Sequence, residues 1–212
     1  MPGGDPFESP DQYIAQLRNS PEVRGAVARG KVQRLAEHDP VQALQVARSI
    51  EHPWYRCQAI ASIVEMNPTD QAAESLLDEA FAAAYGQDEP NRIASVALWP
   101  LRLLVHRAPG KAAAHARELL QIISREPHGL RKLDGLHAIL VAVAPSKDLR
   151  ELVLQPFETA AEASRGWRTE RIIDDMAVML IPFDRDAAMR LVGSRLPSRY
   201  TRRSRALLSP ST

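Results

Sequence analysis

PWYRCQAIASIV, residues 53–64, is the stretch that decides the fold. Pro53 opens it, at a position where proline is tolerated because the first residue of a helix has no intrahelical acceptor for its N–H. Behind it, Cys57, Ile60, Ala61 and Val64 recur at the spacing of one face of a helix with about 3.6 residues per turn. Arg56 borders that face. The same plan returns along the chain, with an Arg near the start of every second predicted helix, at Arg24, Arg56, Arg92, Arg131, Arg171 and Arg202. The intervals are 32, 36, 39, 40 and 31 residues, the period of helical-hairpin repeats.

Other apolar lines have the same phase. Ala43, Leu44, Ala47 and Ile50 form one, Ala73, Leu76, Leu77, Ala80 and Ala84 another, Ala112, Ala116, Leu119, Leu120 and Ile123 a third, and Leu133, Leu136, Leu140 and Val143 a fourth. Prolines 21, 40, 53, 68, 90, 109, 127, 145 and 197 punctuate them. Asp39 before Pro40 and Asn67 before Pro68 read as helix N-caps. No stretch alternates apolar and polar residues over a strand length. The expected helices are 11–19, 22–37, 39–50, 53–66, 68–85, 90–108, 110–125, 129–144, 146–164, 168–181 and 185–196, with Pro100 kinking one of them near Leu98 and Trp99; a helix over 198–208, if formed, would partner 185–196. Short connections pair 39–50 with 53–66, 68–85 with 90–108, 110–125 with 129–144, and 146–164 with 168–181. The predicted fold is all-α, a right-handed α-α superhelix: a short α-solenoid of about five helical hairpins. A segment 1–20 with a short helix precedes a repeat domain over 21–196, and an Arg-rich segment, 197–212, follows.

Length and composition bound the function. A chain of 212 residues buries enough apolar surface to fold without metal or disulfide staples. The single cysteine, Cys57, forms no internal disulfide, and the start MPGGDPFESP lacks the basic and apolar regions of a secretory signal. A cytoplasmic location is the expectation. The longest apolar run, 176–183, falls far short of the roughly 20 residues a membrane span needs. Net charge is +1, from 27 basic and 26 acidic residues, but the last acid is Asp186 and six Arg follow it. Residues 1–186 therefore carry a net charge of −5. An acidic body with a basic end excludes a nucleic-acid footprint over the whole surface and leaves the end as a local one.

The segment 53–64 resembles the second helix of a HEAT repeat, in which an Arg is followed by small and apolar residues that pack on the neighbouring hairpin. Arg92-Ile93-Ala94-Ser95-Val96, Arg131-Lys132-Leu133-Asp134 and Arg171-Ile172-Ile173-Asp174 echo it, so that the likeness covers 39–196. The hallmark positions of tetratricopeptide repeats do not recur at their fixed spacing of about 34. What the HEAT resemblance implies is a curved stack of helix pairs whose concave face binds another macromolecule.

The candidate partner-binding residues are the Arg series and its aromatic neighbours. Arg56, Arg92, Arg131 and Arg171 would grip an acidic partner or phosphates if they line one ridge. The competing reading has them holding carbonyls or acids of their own fold, with Asp134 beside Arg131 and Asp174 and Asp175 beside Arg171. Trp54 and Tyr55, ahead of Arg56, and Trp167, ahead of Arg168, have the composition of binding hot spots; plugging the junction between hairpins is the favoured role. The run RYTRRSR, 199–205, brings Arg199, Arg202, Arg203 and Arg205 together with Tyr200, enough to contact phosphates or an acidic groove, or else to cap the stack.

Nothing points to a catalytic, cofactor or metal residue. Cys57 heads an apolar stripe and reads as buried and inert. The six histidines, His38, His52, His106, His115, His128 and His137, form no metal-binding spacing, and His115 with Glu118 is a lone pair. Gly25 to Lys31 has the spacing of a phosphate loop, but Val32 stands where a hydroxyl residue is required and the segment reads as helix. Two functions remain: a noncatalytic module presenting one face of its helices to a protein partner, and, as the alternative, a nucleic-acid or phosphate binder using the Arg-rich end. An enzyme with a pocket at Trp54, Tyr55 and Cys57 is the least supported reading.

Overall fold

The computed structural model describes residues 19–193 and 195–209. The expected helix 11–19 lies almost entirely outside them. Among the described residues the chain is all-α, with no strand. It divides into two compact units, one ending at Ala83 and the other beginning at Ala84.

The first unit holds α1 (Pro21–Ala36), α2 (Pro40–Arg48), α3 (Pro53–Met66) and most of α4 (Ala73–Tyr85). Each of the first three begins on the proline that marked it, and two of them have side-chain caps. Ser20 Oγ accepts from Val23 N at 3.2 Å, and Asp39 Oδ1 accepts from Gln42 N at 2.9 Å. α1 packs on both α2 and α3. The sequence predicts one apolar stripe on α3, but every residue from Cys57 to Val64 is buried, Gln58 and Ser62 included. Small side chains at Ala59, Ala61 and Ser62 permit this, and the polar atoms are satisfied: Gln58 Oε1 accepts from Arg29 at 2.8 Å, and the Ser62 hydroxyl donates to the Gln58 carbonyl at 2.7 Å. Gly25, inside the segment with phosphate-loop spacing, lies mid-helix. A methyl group there would sit 2.5 Å from the Tyr55 ring, so the glycine serves close helix packing.

Asn67 is not an N-cap. Its amide nitrogen donates to the carbonyls of Ala36 and Ile63, both at 2.9 Å, closing α3 and tying it to the end of α1. α4 consequently starts at Ala73 rather than 68, after an Asp70 side chain that accepts from Ala72 N at 2.8 Å.

The second unit holds α5 (Pro90–Arg107), α6 (Pro109–Ser124), α7 (Gly129–Val143), α8 (Lys147–Ala163), α9 (Trp167–Leu180), α10 (Arg185–Gly193) and α11 (Arg202–Leu208). Helices α5, α7, α9 and α11 pack in succession as one row. Beside that row, α6 lies on α5 and α7, α8 on α7 and α6, and α10 on α9 and α11. The pairing is shifted by one helix from the expected one: α6 packs more closely on α5 than on α7, and α8 on α7. The tightest connection explains it, because Ala108 alone separates α5 from α6. Each pair thus opens on the helix that carries the repeated Arg. The helix containing Pro100 runs unbroken from 90 to 107, and α8 tolerates a second interior proline, Pro156.

Gly135 is the counterpart of Gly25 in this unit: a methyl group on it would lie 2.5 Å from Ile123 Cδ1 and 3.2 Å from Ala94 Cβ, where α5, α6 and α7 meet. Leu101, Leu104, Leu119, Ile123, Leu133, Ile139 and Leu140 fill the core around it.

Candidate functional site

The site is built where α7 and α9 begin, side by side in the row. Neither helix has a side-chain cap, since His128 and Gly166 at the N-cap positions supply no hydrogen bond. Gly166 is the one residue described with positive φ, at 104° with ψ 168°, a backbone region open essentially to glycine alone. This turn delivers Trp167 to the first position of α9 and leaves it 49% exposed. The favoured expectation, that Trp167 plugs a junction between hairpins, is therefore corrected. Tyr55 does take that role in the first unit, packed on Gly25 with the His52 ring 5.1 Å away and the Arg29 guanidinium 5.9 Å from its centroid.

Trp167 is held from the side. Its ring and that of Tyr200 lie 6.0 Å apart at 31°, Arg168 stands 5.3 Å from the Trp167 centroid, and Arg199 stands 4.7 Å from that of Tyr200. Arg168, Trp167, Tyr200 and Arg199 thus make one surface line, two neighbouring rings with a cation on each. The C-terminal segment is fastened beneath it. Buried Asp174 accepts from the backbone N–H of Ser204 at 3.0 Å and from its hydroxyl, and Ser198 Oγ donates to Glu170 at 2.6 Å.

Next to this line is a groove of about 410 Å³, lined by Leu130, Arg131 and Asp134 of α7 and by Trp167, Arg168, Arg171, Ile172 and Asp175 of α9. Four of the candidate residues, Arg131, Trp167, Arg168 and Arg171, therefore meet in one place. Their bonding differs. Arg131 donates to Glu89 at 3.0 Å, and the same carboxylate holds Arg92 at 3.4 Å. The partner for Arg131 is thus Glu89 rather than the expected Asp134. Arg171 has no hydrogen bond or ion pair among the described residues, and Arg168 has only the Trp167 ring. Asp174, read from its spacing as a partner for Arg171, turns inward to Ser204 instead. His137, which feels the charges of Asp134 and Asp175, is held below the ordinary histidine range, first by burial, against the opposing pull of those two carboxylates.

The remaining candidates lie elsewhere. Trp54 and Arg56 are half-buried in the first unit with no polar partner among the described residues. Arg205 is spent inside the fold, donating to the carbonyls of Val192 at 2.9 Å and Arg195 at 2.6 Å. Arg195 likewise caps α8 through the carbonyls of Ser164 and Ala161. Of the basic run, Arg199, Arg202 and Arg203 are exposed.

Two features escaped the sequence reading. Tyr200 as the partner of Trp167 is legible only as a separation of 33 residues, about one repeat. The other is a polar link in which Tyr85 Oη meets His115 Nδ1 at 2.9 Å and donates to Glu118 at 2.8 Å; burial, then Glu118, raises the phenol above its ordinary range. Cys57 is fully buried, which pushes its thiol far up and takes that thiol out of the pocket the enzymatic reading placed it in. Among the described residues, no group of three or more His, Cys, Asp and Glu is placed to hold a metal ion. No described helix is long and apolar enough to cross a membrane. No protein-family model, curated protein or solved structure matches this chain.

Proposed function

We propose that this protein is a noncatalytic interaction module of HEAT-like helical repeats, and that it receives a protein partner in the groove between the starts of α7 and α9. One observation carries the reading: a half-exposed Trp167 and two Arg, Arg168 and Arg171, that have no carboxylate partner among the described residues share a groove, while other Arg of the same unit are engaged by the fold. Trp and Arg at a pocket are the side chains that dominate binding energy at protein interfaces. Trp167 is also pre-oriented, by Gly166 from behind and Tyr200 from the side, so that docking does not have to freeze a mobile ring.

Photo-crosslinking in the native host tests this. With p-benzoylphenylalanine in place of Ile172, the reading predicts a discrete protein adduct absent when the probe replaces exposed Gln121 on α6. The same protein adducts from both positions, or none from 172, would refute it.

A further inference from the structure

The groove's chemistry specifies its occupant further, on the footing of the interaction reading above. We infer that it takes an acidic linear segment of the partner protein, with carboxylates on Arg168 and Arg171 and an apolar side chain against Trp167 and Ile172.

The argument begins from how the unit uses its other cations. Arg131 is neutralised by Glu89, Arg190 lies 3.4 Å from Glu158, and buried Arg150 donates to the Ala144 carbonyl and faces Asp184 at 3.8 Å. Arg195 and Arg205 close helix ends. Arg168 and Arg171, like Arg117, Arg125, Arg202 and Arg203, have no side-chain hydrogen bond or ion pair among the described residues, but these two stand three residues apart on one helix and share a groove with exposed Trp167. A guanidinium fork matches a planar carboxylate with two parallel hydrogen bonds. The uncapped starts of α7 and α9 add the positive ends of two helix dipoles at the same edge. Trp167 and Ile172 give an apolar side chain its place, so the preferred segment alternates acids with a large apolar residue.

A nucleic acid fits less well. Its backbone presents phosphates at regular intervals and needs a continuous basic track, whereas Asp134 and Asp175 interrupt this groove. Residues 1–186 carry −5 overall, and Arg205 of the basic end is already committed. A peptide chooses where its charges fall, and its backbone N–H groups are donors suited to those two aspartates.

The test is selection of random dodecapeptides displayed on phage against the full chain and against its R168E/R171E variant. On the wild-type protein the enriched peptides should carry an excess of Asp and Glu beside an aromatic or large aliphatic residue. Synthetic versions should bind at least about tenfold more weakly to R168E/R171E and to R168Q/R171Q. An unchanged urea midpoint for either variant identifies it as folded, because both side chains are exposed. Enrichment with no acidic bias, no enrichment, or equal affinity for the folded variants overturns the inference. The outcomes separate the two readings. A protein cross-linked at position 172 through a segment without excess carboxylates refutes the acidic occupant and leaves the interaction module standing, whereas oligouridylate binding the groove more tightly than every selected peptide refutes both.

Discussion

Gly25→Ala is a severe test of the packing that places α1 on α3. The added Cβ would lie 2.5 Å from Tyr55 Cδ2, 3.1 Å from Cγ and 3.2 Å from Cβ, against a favourable carbon separation of about 3.5–4.0 Å. Rotating the ring relieves only the first two contacts, since Tyr55 Cβ is fixed to the backbone of α3. The helices must move apart, and overpacking of this kind costs about 1–3 kcal/mol. Alanine returns up to about 1 kcal/mol through its better helix propensity. From the middle of the two ranges, about 2 kcal/mol of overpacking less about 0.5 kcal/mol returned, the net expectation is a loss of about 1.5 kcal/mol. Urea unfolding followed by far-ultraviolet circular dichroism measures it, with amide exchange in α1 and α3 assigning the effect to the first unit. In a Tyr55→Ala background the two ring contacts disappear and only the 3.2 Å contact with Cβ remains, so the same substitution should cost clearly less. A G25A protein as stable as wild type, or one that loses equally in both backgrounds, would refute the reasoning.

Other expectations follow from the same structure. Gly110→Ala, where an added methyl meets nothing within 4 Å, should stabilise α6 by roughly 0.5–1 kcal/mol, seen as a higher urea midpoint. Asp174→Ala removes the acceptor for two Ser204 donors, and should cost about 1–3 kcal/mol and expose the chain beyond Gly193 to limited proteolysis. Cys57 should resist a thiol-specific disulfide reagent until the chain is unfolded, because burial both hides the thiol and disfavours the thiolate. Burial of His137 sets a sign: the folded pKa lies below the ordinary value of about 6.5, so the unfolded chain binds more protons as pH falls through that value. This contribution to stability is complete above about 6.5 and declines below it; urea midpoints across that range should slope less for His137→Gln than for wild type.

How much the sequence disclosed depends on whether the deciding partner is near in the chain. The helix expected over 53–66 is α3, from Pro53 to Met66, and those expected over 90–108 and 110–125 are met within a residue at each end, because proline and the apolar period are local signals. Asn67 misled because its amide serves carbonyls of two helices, one of them 31 residues away. The same limit applies at the site. Spacing put Arg131 and Arg171 near helix starts, where α7 and α9 have them, but whether each has a partner depends on Glu89 at the N-cap of α5 and on Ser204 drawing Asp174 away. The exposure of Trp167 depends on the turn at its neighbour Gly166 and on where Tyr200, 33 residues further on, comes to rest, the second of which is not written in the residues beside it.

The central claim is that Trp167 and Arg171 serve binding rather than the fold, and the most direct measurement compares affinity and stability in one double variant. Trp167→Ala with Arg171→Ala should keep the urea midpoint within about 0.5 kcal/mol of wild type, as expected for exposed side chains outside the core. Its affinity for the protein cross-linked at position 172 should fall by about a hundredfold or more, the loss typical of an anchor pair at an interface. Undiminished binding by this variant, or a loss accompanied by a matching drop in stability, would contradict the account.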